Sequence, residues 1–482
     1  MRPQHARLLS MPDVVRIDRD LGPVMAEETV RGRPPAEVAA VAPIPKPDEL
    51  TWWDWTVFLL HTAAEIEHAL MVQYLYAAYS LADDGFQGPA VPPDASALVR
   101  TWRQTIVGIA REEMAHLLTI QNLLRFIGGP LNLEREDFPF RAFLYPFPLQ
   151  LEPLTRTSLA KYVAAEMPAT PPQPPELIRE ILDRATAATG GLAINRVGVM
   201  YDTLISIFDD ETKLATSDLR PNTAEDFQAA PKDWRAFDPL TLLVCVVRTR
   251  EDAVAALRAV GEQGEGSANP PQGAPAPSHF DRFIGIWTAF PETEGAAGSV
   301  TWTPTRPVPS NPNTLPQPIT DAALEHGRIT HPTTRLWAQL FNTRYRMLLV
   351  DLAHALHLSG PMTAAGTTTV KGHLRNWTFL EMTGQPRAGL RGIAKALATM
   401  PLKATSAPAD PANAGPPFEL PYTLALPDNE RDRWRLHLAL LDTSRELIGS
   451  IQTVSGTNAI LDELVATDLK ARAVVEAQLA QP

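Results

Sequence analysis

Two stretches near the start of the chain set a carboxylate where an apolar residue would otherwise stand, and the second adds a histidine one turn on. In Trp55–Leu81 the apolar line runs Val57, Leu60, Ala64, then Glu67, then Met71, Tyr74, Ala78 and Leu81. In Thr105–Ile127 it runs Ile106, Ile109, then Glu113 and His116, then Ile120, Leu124 and Ile127. Spacings of three and four keep these residues on one helix face, and the aliphatic remainder marks that face as the buried one. A buried carboxylate is costly unless it is protonated, paired or bound to a metal. Packed together, two such helices would gather Glu67, Glu113 and His116 into one interior cluster. An inward-facing Glu-x-x-His is a ligand unit of di-iron and di-manganese centres in helical bundles.

Each residue also has a plainer reading. Glu67 could be a carboxylate satisfied by an arginine or a backbone donor. Glu113 and His116 could form an intrahelical i, i+3 pair of the kind common on surfaces. Arg111, Glu112 and Gln121 already supply the outer side of that helix, so the conjunction of both helices favours a metal. Glu65, His68 and Glu112 lie off the apolar lines and are expected to be solvated or to stand behind the ligands. Tyr74, two turns after Glu67, is the candidate catalytic residue, either as a hydrogen-bond donor near a metal or in electron transfer; a core tyrosine is the alternative. Glu166 ends the line Leu159, Tyr162, Val163 and so points inward, while Asp202 borders the apolar face of Asn195–Asp209. Spacing alone leaves Glu265, flanked by glycines, and His279, which opens the next helix, as open candidates.

The elements that must position these groups read as helices. Asp54–Leu81 and Ala97–Ile127 are long and amphipathic, the second stopped by Gly128-Gly129-Pro130. Ser158–Met167, Pro175–Ala188, Asn195–Asp209, Glu251–Val260 and Ser278–Trp287 follow, with Phe237–Val247 ambiguous between strand and buried helix. Residues 289–320 form a crossing rich in Pro, Thr and Asn. Beyond it Thr333–Leu358, Leu374–Thr383, Ala388–Thr399, Asn429–Ser450 and Asn458–Leu479 make a second helical half. The expected organisation is an irregular arm over 1–50, a metal-binding bundle over 51–290, and a second helical half over 291–482 packed on the first. Loops at Ser267–Pro277 and Lys403–Pro417 should lie on the surface. Few β-rich runs point to an all-α protein.

Composition removes several classes. With 482 residues and 45% hydrophobic content the chain is globular and can build two or three cores. The longest apolar run, Leu242–Val247, is too short to span a bilayer, and the first residues carry no sustained apolar segment of a secretory leader. A single cysteine, Cys245, excludes an internal disulfide framework and suggests a reducing compartment, so a cytoplasmic location is expected. A net charge of -12 with no basic stripe argues against nucleic acid as partner.

The segments AAEIEHALMVQYLYAAYSL and REEMAHLLTIQNLLRFIGGP resemble the ferritin-like domain of the iminophenyl-pyruvate dimer synthase family, whose members act in bisindole pathways such as those of violacein and rebeccamycin. LYPFPLQLEPLT, KYVAAEMP, RVGVMYDTL, EQGEG with SHFDRF, LFNTRYRMLL and AGPPFELP continue it in order, so the likeness covers most of residues 50–430. The resemblance implies metal-facing roles for Glu67, Glu113 and His116 and adds Glu265 and His279. One departure stands out: where relatives tend to carry a carboxylate after the glycine of RVGVMYDTL, this chain has Val199. Asp202, one turn on, is the expected substitute; without it the site would hold a single metal. Haem has been associated with the group; the chain has no haem-attachment motif, which leaves axial ligation through His354 or His357 as the open route.

The expected fold is therefore an all-α, ferritin-like helical bundle elaborated by a second helical half. The expected function is a non-haem iron oxidoreductase of specialised metabolism, with manganese as a possible substitute metal. Its partners would be a small amino-acid-derived or aromatic substrate and dioxygen or hydrogen peroxide, with neither nucleic acid nor membrane involved, and a homo-oligomer is possible. Glu67, Glu113 and His116 would hold one iron, Asp202, Glu265 and His279 would complete it or hold a second, and Glu166 is a reserve ligand. An iron-handling ferroxidase-like protein and a catalytically inert binding module are the alternatives.

Overall fold

The computed structural model describes residues 43–88, 90–142, 144–192, 194–220, 227–234, 242–266, 277–291, 302–384, 388–405, 411–421 and 423–481. Most of the expected N-terminal arm, much of the expected surface loops and the first part of Phe237–Val247 lie outside them. Residues 242–247 are described and form neither helix nor strand. Thirteen α-helices and a two-stranded hairpin are present among the described residues. No helix among those residues is long and apolar enough to cross a membrane. The chain divides into two compact units, one of residues 1–150 and 154–305, the other of 151–153 and 306–482.

The first unit is built on α1 (Trp52–Ser80) and α2 (Ala95–Phe126), which pack along much of their length. Thr51 starts α1 with a capping box: its hydroxyl accepts from the Asp54 amide at 3.1 Å, and the Asp54 carboxylate accepts from the Thr51 amide at 3.3 Å. Both helices bury far more than one stripe, because the shorter helices α3 (Arg156–Ala165), α5 (Gly198–Phe208), α6 (Arg250–Glu265) and α7 (His279–Ala289) cover the remaining faces. Helix α4 (Pro175–Ala188) packs on α3 from outside and buries only Ile181 and Ala185.

The ends of the short helices matter most. Helix α3 finishes at Glu166, two residues before Pro168, which cannot continue a helix. Helix α6 stops at Glu265 because Gly266 turns into the left-handed region at φ 94. Helix α7 begins at His279 behind a Ser278–Asp281 capping box. These two stops and one start leave two carboxylates and an imidazole at helix termini.

The second unit holds α8 (Ala322–Gly327), α9 (Pro332–His357), the hairpin β1 (Thr363–Ala364) and β2 (Thr367–Thr368), α10 (Val370–Thr383), α11 (Leu390–Leu397), α12 (Glu430–Ser455) and α13 (Ala459–Leu479). Helix α9 is its axis and packs on α10, α11 and α12. Met347, Val350, Leu374, Trp434, Leu440, Leu441 and Val475 form its core. The short helix α8 and the hairpin were not expected from the sequence pattern; each is too short to show a period.

Candidate metal centre

Glu67 from the middle of α1 and Glu113 and His116 from the middle of α2 meet in the interior of the first unit, each about 2% exposed. Nδ1 of His116 lies 2.9 Å from Glu113 Oε2 and 3.3 Å from Glu67 Oε2. On the other side of Glu113, His279 Nδ1 lies 3.0 Å from Oε1 of Glu113 and 3.6 Å from Oε2 of Glu166. Two groups result, Glu67–Glu113–His116 and Glu113–Glu166–His279, each with one ligand atom per residue within 4.8 Å of the others. Glu113 belongs to both.

The donor chemistry fits a metal on a specific observation. Glu113 Oε1 and His279 Nδ1 approach to 3.0 Å, yet neither atom finds an aligned hydrogen-bond partner, although both are buried. Such atoms are rare unless something else satisfies them, and convergent lone pairs of this kind are what a cation collects.

The far sides of both imidazoles fix their tautomers. His279 Nε2 lies 2.9 Å from Glu112 Oε2, and an ionised carboxylate only accepts, so Nε2 carries the hydrogen. His116 Nε2 donates in the same way to Gln263 Oε1 at 2.8 Å. Each ring thereby turns Nδ1 toward Glu113. Arg282 clamps Glu112 with two further bonds, one of 3.2 Å from Nη1 and a shorter one from Nη2.

Tyrosines hold the carboxylates. Tyr74 donates to Glu166 Oε1 at 2.6 Å, and Tyr201 donates a short bond to Glu67 Oε1. Tyr74 also meets Tyr162 edge-on and Phe283 at a tilt, both at 4.9 Å between ring centroids. It therefore orients a carboxylate and packs in the core at once.

Glu265 completes the rim. Its Oε1 accepts from the Gly198 amide at 3.1 Å, and Arg196 approaches both oxygens at 3.4 Å. A Cβ at Gly198 would stand 2.3 Å from Oε1 of Glu265, and one at Gly264 would stand 3.0 Å from Oε2 of Glu166. These glycines leave the space that the two carboxylates fill. A carboxylate thus reaches the backbone of α5 from α6 rather than from position 199, where Val199 is buried. The recess lined by Glu67, Glu113, His116, Glu166, Glu265 and His279 has room for little more than a water-sized particle.

Electrostatics show how protons stand in for a cation. Burial, with the Glu113 charge behind it, raises the Glu67 carboxyl to about 7, and burial raises Glu265 to about 7 against the pull of Arg196. Burial alone would lower both imidazoles. For His116 the bonds and charges of Glu113 and Glu67 outweigh it and lift the group to about 10, and for His279 the Glu113 charge does the same. Burial pushes Glu113 up, but the His279 charge overrides it and holds the carboxyl below its ordinary value. A metal entering here must displace these protons.

Several expectations need correction. Asp202 is exposed and does not line the recess, so it does not replace the missing carboxylate; Tyr201, its neighbour, is the α5 residue that reaches the cluster. Glu65, His68 and Glu112 are buried rather than solvated. Glu65 accepts from Tyr145 at 2.6 Å and Asn132 at 3.0 Å, and Glu112 stands behind the His279 imidazole. His354 engages both ring nitrogens, with His437 and with Glu430 at 2.9 Å each, so neither is open for haem ligation. His357 is exposed and donates to the Ala353 carbonyl at 2.8 Å. Tyr201 and Gln263 were missed: Tyr201 sits on an apolar line and reads as core, and Gln263 carries no periodic signal.

Residues 60–288 match the family model described as Ferritin-like, so the chain carries a ferritin-like domain. It is similar to dichlorochromopyrrolate synthase of Lentzea aerocolonigenes, with 25% identity over 75% of this chain and 35% of that protein. It is also similar to 2-imino-3-(indol-3-yl)propanoate dimerase of Chromobacterium violaceum, with 30% identity over 25% of this chain and 14% of that protein. These relatives support the likeness to iminophenyl-pyruvate dimer synthases, and the matches span about a third of the first relative's length and a seventh of the second's.

Proposed function

We propose that the chain is a non-haem, iron-dependent oxidoreductase of specialised metabolism. Glu67, Glu113 and His116 would hold one metal and Glu113, Glu166 and His279 a second, with Glu265 able to move onto either. The observation that carries this reading is the pair of imidazoles, each committed through Nε2 to a polar partner and presenting Nδ1 to the shared Glu113. Carboxylate and imidazole donors suit iron, with manganese as a substitute. When bound, such a metal supplies one-electron steps and open positions for dioxygen or peroxide. The residues of the chain supply the rest: Tyr74 and Tyr201 steer the carboxylates, Gln263 and Glu112 hold the imidazoles, and the closely packed helices keep bulk water out.

The relatives' names support a substrate of the aromatic imine class, such as 2-imino-3-(indol-3-yl)propanoate, with oxidative coupling as the reaction. A second reading is oxidation of Fe(II) without an organic substrate, favoured by the small size of the recess. Elemental analysis of freshly purified chain, followed by dioxygen uptake with and without the indolyl imine, tests both. Imine-dependent uptake supports the enzyme. Uptake driven by Fe(II) and indifferent to the imine supports the alternative. Protein that neither retains nor takes up iron or manganese would sink the metal centre itself.

A further inference from the structure

The second unit contains a ladder of hydrogen bonds that the metal centre does not use. Asp351 and His354 stand one turn apart on α9, and Glu430 and His437 lie on the facing side of α12. Asp351 Oδ1 lies 3.1 Å from His437 Nδ1, His437 Nε2 lies 2.9 Å from His354 Nδ1, and His354 Nε2 lies 2.9 Å from Glu430 Oε1. The two imidazoles lie edge to edge with centroids 5.2 Å and planes 23° apart; Trp434 packs on both rings and Trp377 on His437, so both are held in place. The outer end is wet, with the Glu430 side chain 47% exposed, while His354 is fully buried and Asp351 is 5% exposed. At the inner end Asp351 and His437 line a cavity together with Glu381, Asp468, Trp377 and Met347.

Hydrogen counting sets the behaviour of this ladder. Each of the three contacts takes one hydrogen, and two neutral imidazoles supply only two. The third must sit on a terminal carboxyl or convert one imidazole to imidazolium. Moving each hydrogen across its own gap transfers one proton from end to end: Glu430 gives to His354 Nε2, His354 Nδ1 gives to His437 Nε2, and His437 Nδ1 gives to Asp351. Three bonds to hydrogen break and three form, and no charge leaves the protein. We propose that Asp351, His437, His354 and Glu430 form a proton relay between solvent and the cavity of the second unit, which makes that cavity an acid–base site.

The surroundings favour one mobile proton rather than two. Burial and the neighbouring His437 push His354 down to about 4, so the rings do not both charge. Arg433 on α12 faces Glu430 at 3.4 Å and further discourages a second positive charge. On the cavity side, Arg344 of α9 is bound to Glu381 of α10, Asp468 of α13 and Ser444 of α12, and its charge acts on Asp351 against the burial that raises that carboxyl.

Exchange of the buried imidazole hydrogens with water tests the relay, read by NMR on the full chain with 15N-labelled histidine. In the parent, the His437 Nδ1 hydrogen should exchange far faster than global unfolding allows. Glu430→Gln changes a half-exposed end and should slow that exchange at least about tenfold, with the unfolding midpoint unchanged, because Gln cannot take up and release a proton. His354→Gln, which breaks the middle, should slow it as much. Exchange unaltered in Glu430→Gln, or already as slow as global unfolding in the parent, would overturn the relay.

Discussion

His116 and His279 stack with their ring centroids 5.5 Å apart, and each turns Nδ1 toward a different oxygen of Glu113. The two rings come from distant parts of the chain, one from mid-α2 and one from the first position of α7. Their near-parallel setting makes them two halves of one site, and this relation gives the clearest test of it.

Replacing His116 with alanine should remove a nitrogen donor while the helices stay intact. Metal content measured by elemental analysis should fall by at least half, with far-ultraviolet circular dichroism near that of the parent. Asp202→Asn is the control, because Asp202 is exposed and outside the recess. Equal metal loss in the two variants would contradict the site as drawn.

Gln263→Leu should act through His116 rather than on a metal directly. Without an acceptor the Nε2 hydrogen is left buried and the ring loses its orientation. Removing such a partner typically costs about 10–100-fold in metal affinity. Competition with a coloured chelator measures this, and an unchanged affinity would show that Gln263 plays no part in setting the ring.

Gly198→Ala puts a methyl group where the Glu265 carboxylate lies, 2.3 Å from Oε1. Either Glu265 is expelled or α5 shifts, and overpacking of this kind costs about 1–3 kcal/mol. Urea denaturation and metal titration should both register the change. A fully stable variant with parental metal stoichiometry would mean that Glu265 does not rest on α5.

In the second unit, Arg344 is buried and bound by two nitrogens to Glu381, with Asp468 and Ser444 on the third. Arg344→Met leaves two buried carboxylates without their cation. Breaking one side of such a network costs about 3–5 kcal/mol, read as a lower urea midpoint. Glu381→Gln on the same background should recover part of the loss.

What the sequence revealed follows from where the residues stand. Glu67, Glu113 and His116 lie in mid-helix, where period and neighbours declare the inward face. Glu166 ends a short helix whose spacing already turns it inward, whereas Glu265 and His279 lie at helix ends where three or four residues show no period, so for those two the family likeness supplied what spacing could not. Asp202 borders the apolar line of its helix, yet one position, or about 100° of rotation, is enough to put it in water while Tyr201 turns inward. Glu112 read as an outer residue because the sequence of α2 alone does not reveal that α7 covers that side. Long-range closure, not local pattern, decides such positions.

The cluster draws its groups from two mechanically different sources. Glu67, Glu113 and His116 are fixed within long helices whose backbone bonds continue in both directions. Glu166, Glu265 and His279 sit at termini, where backbone is tied on one side only and small rotations are cheap. One wall of the centre is therefore an anvil and the other a set of jaws. A cation that changes radius or appetite for ligands as it gains and loses electrons would be tracked by the jaws, while the anvil keeps its register on the rest of the protein.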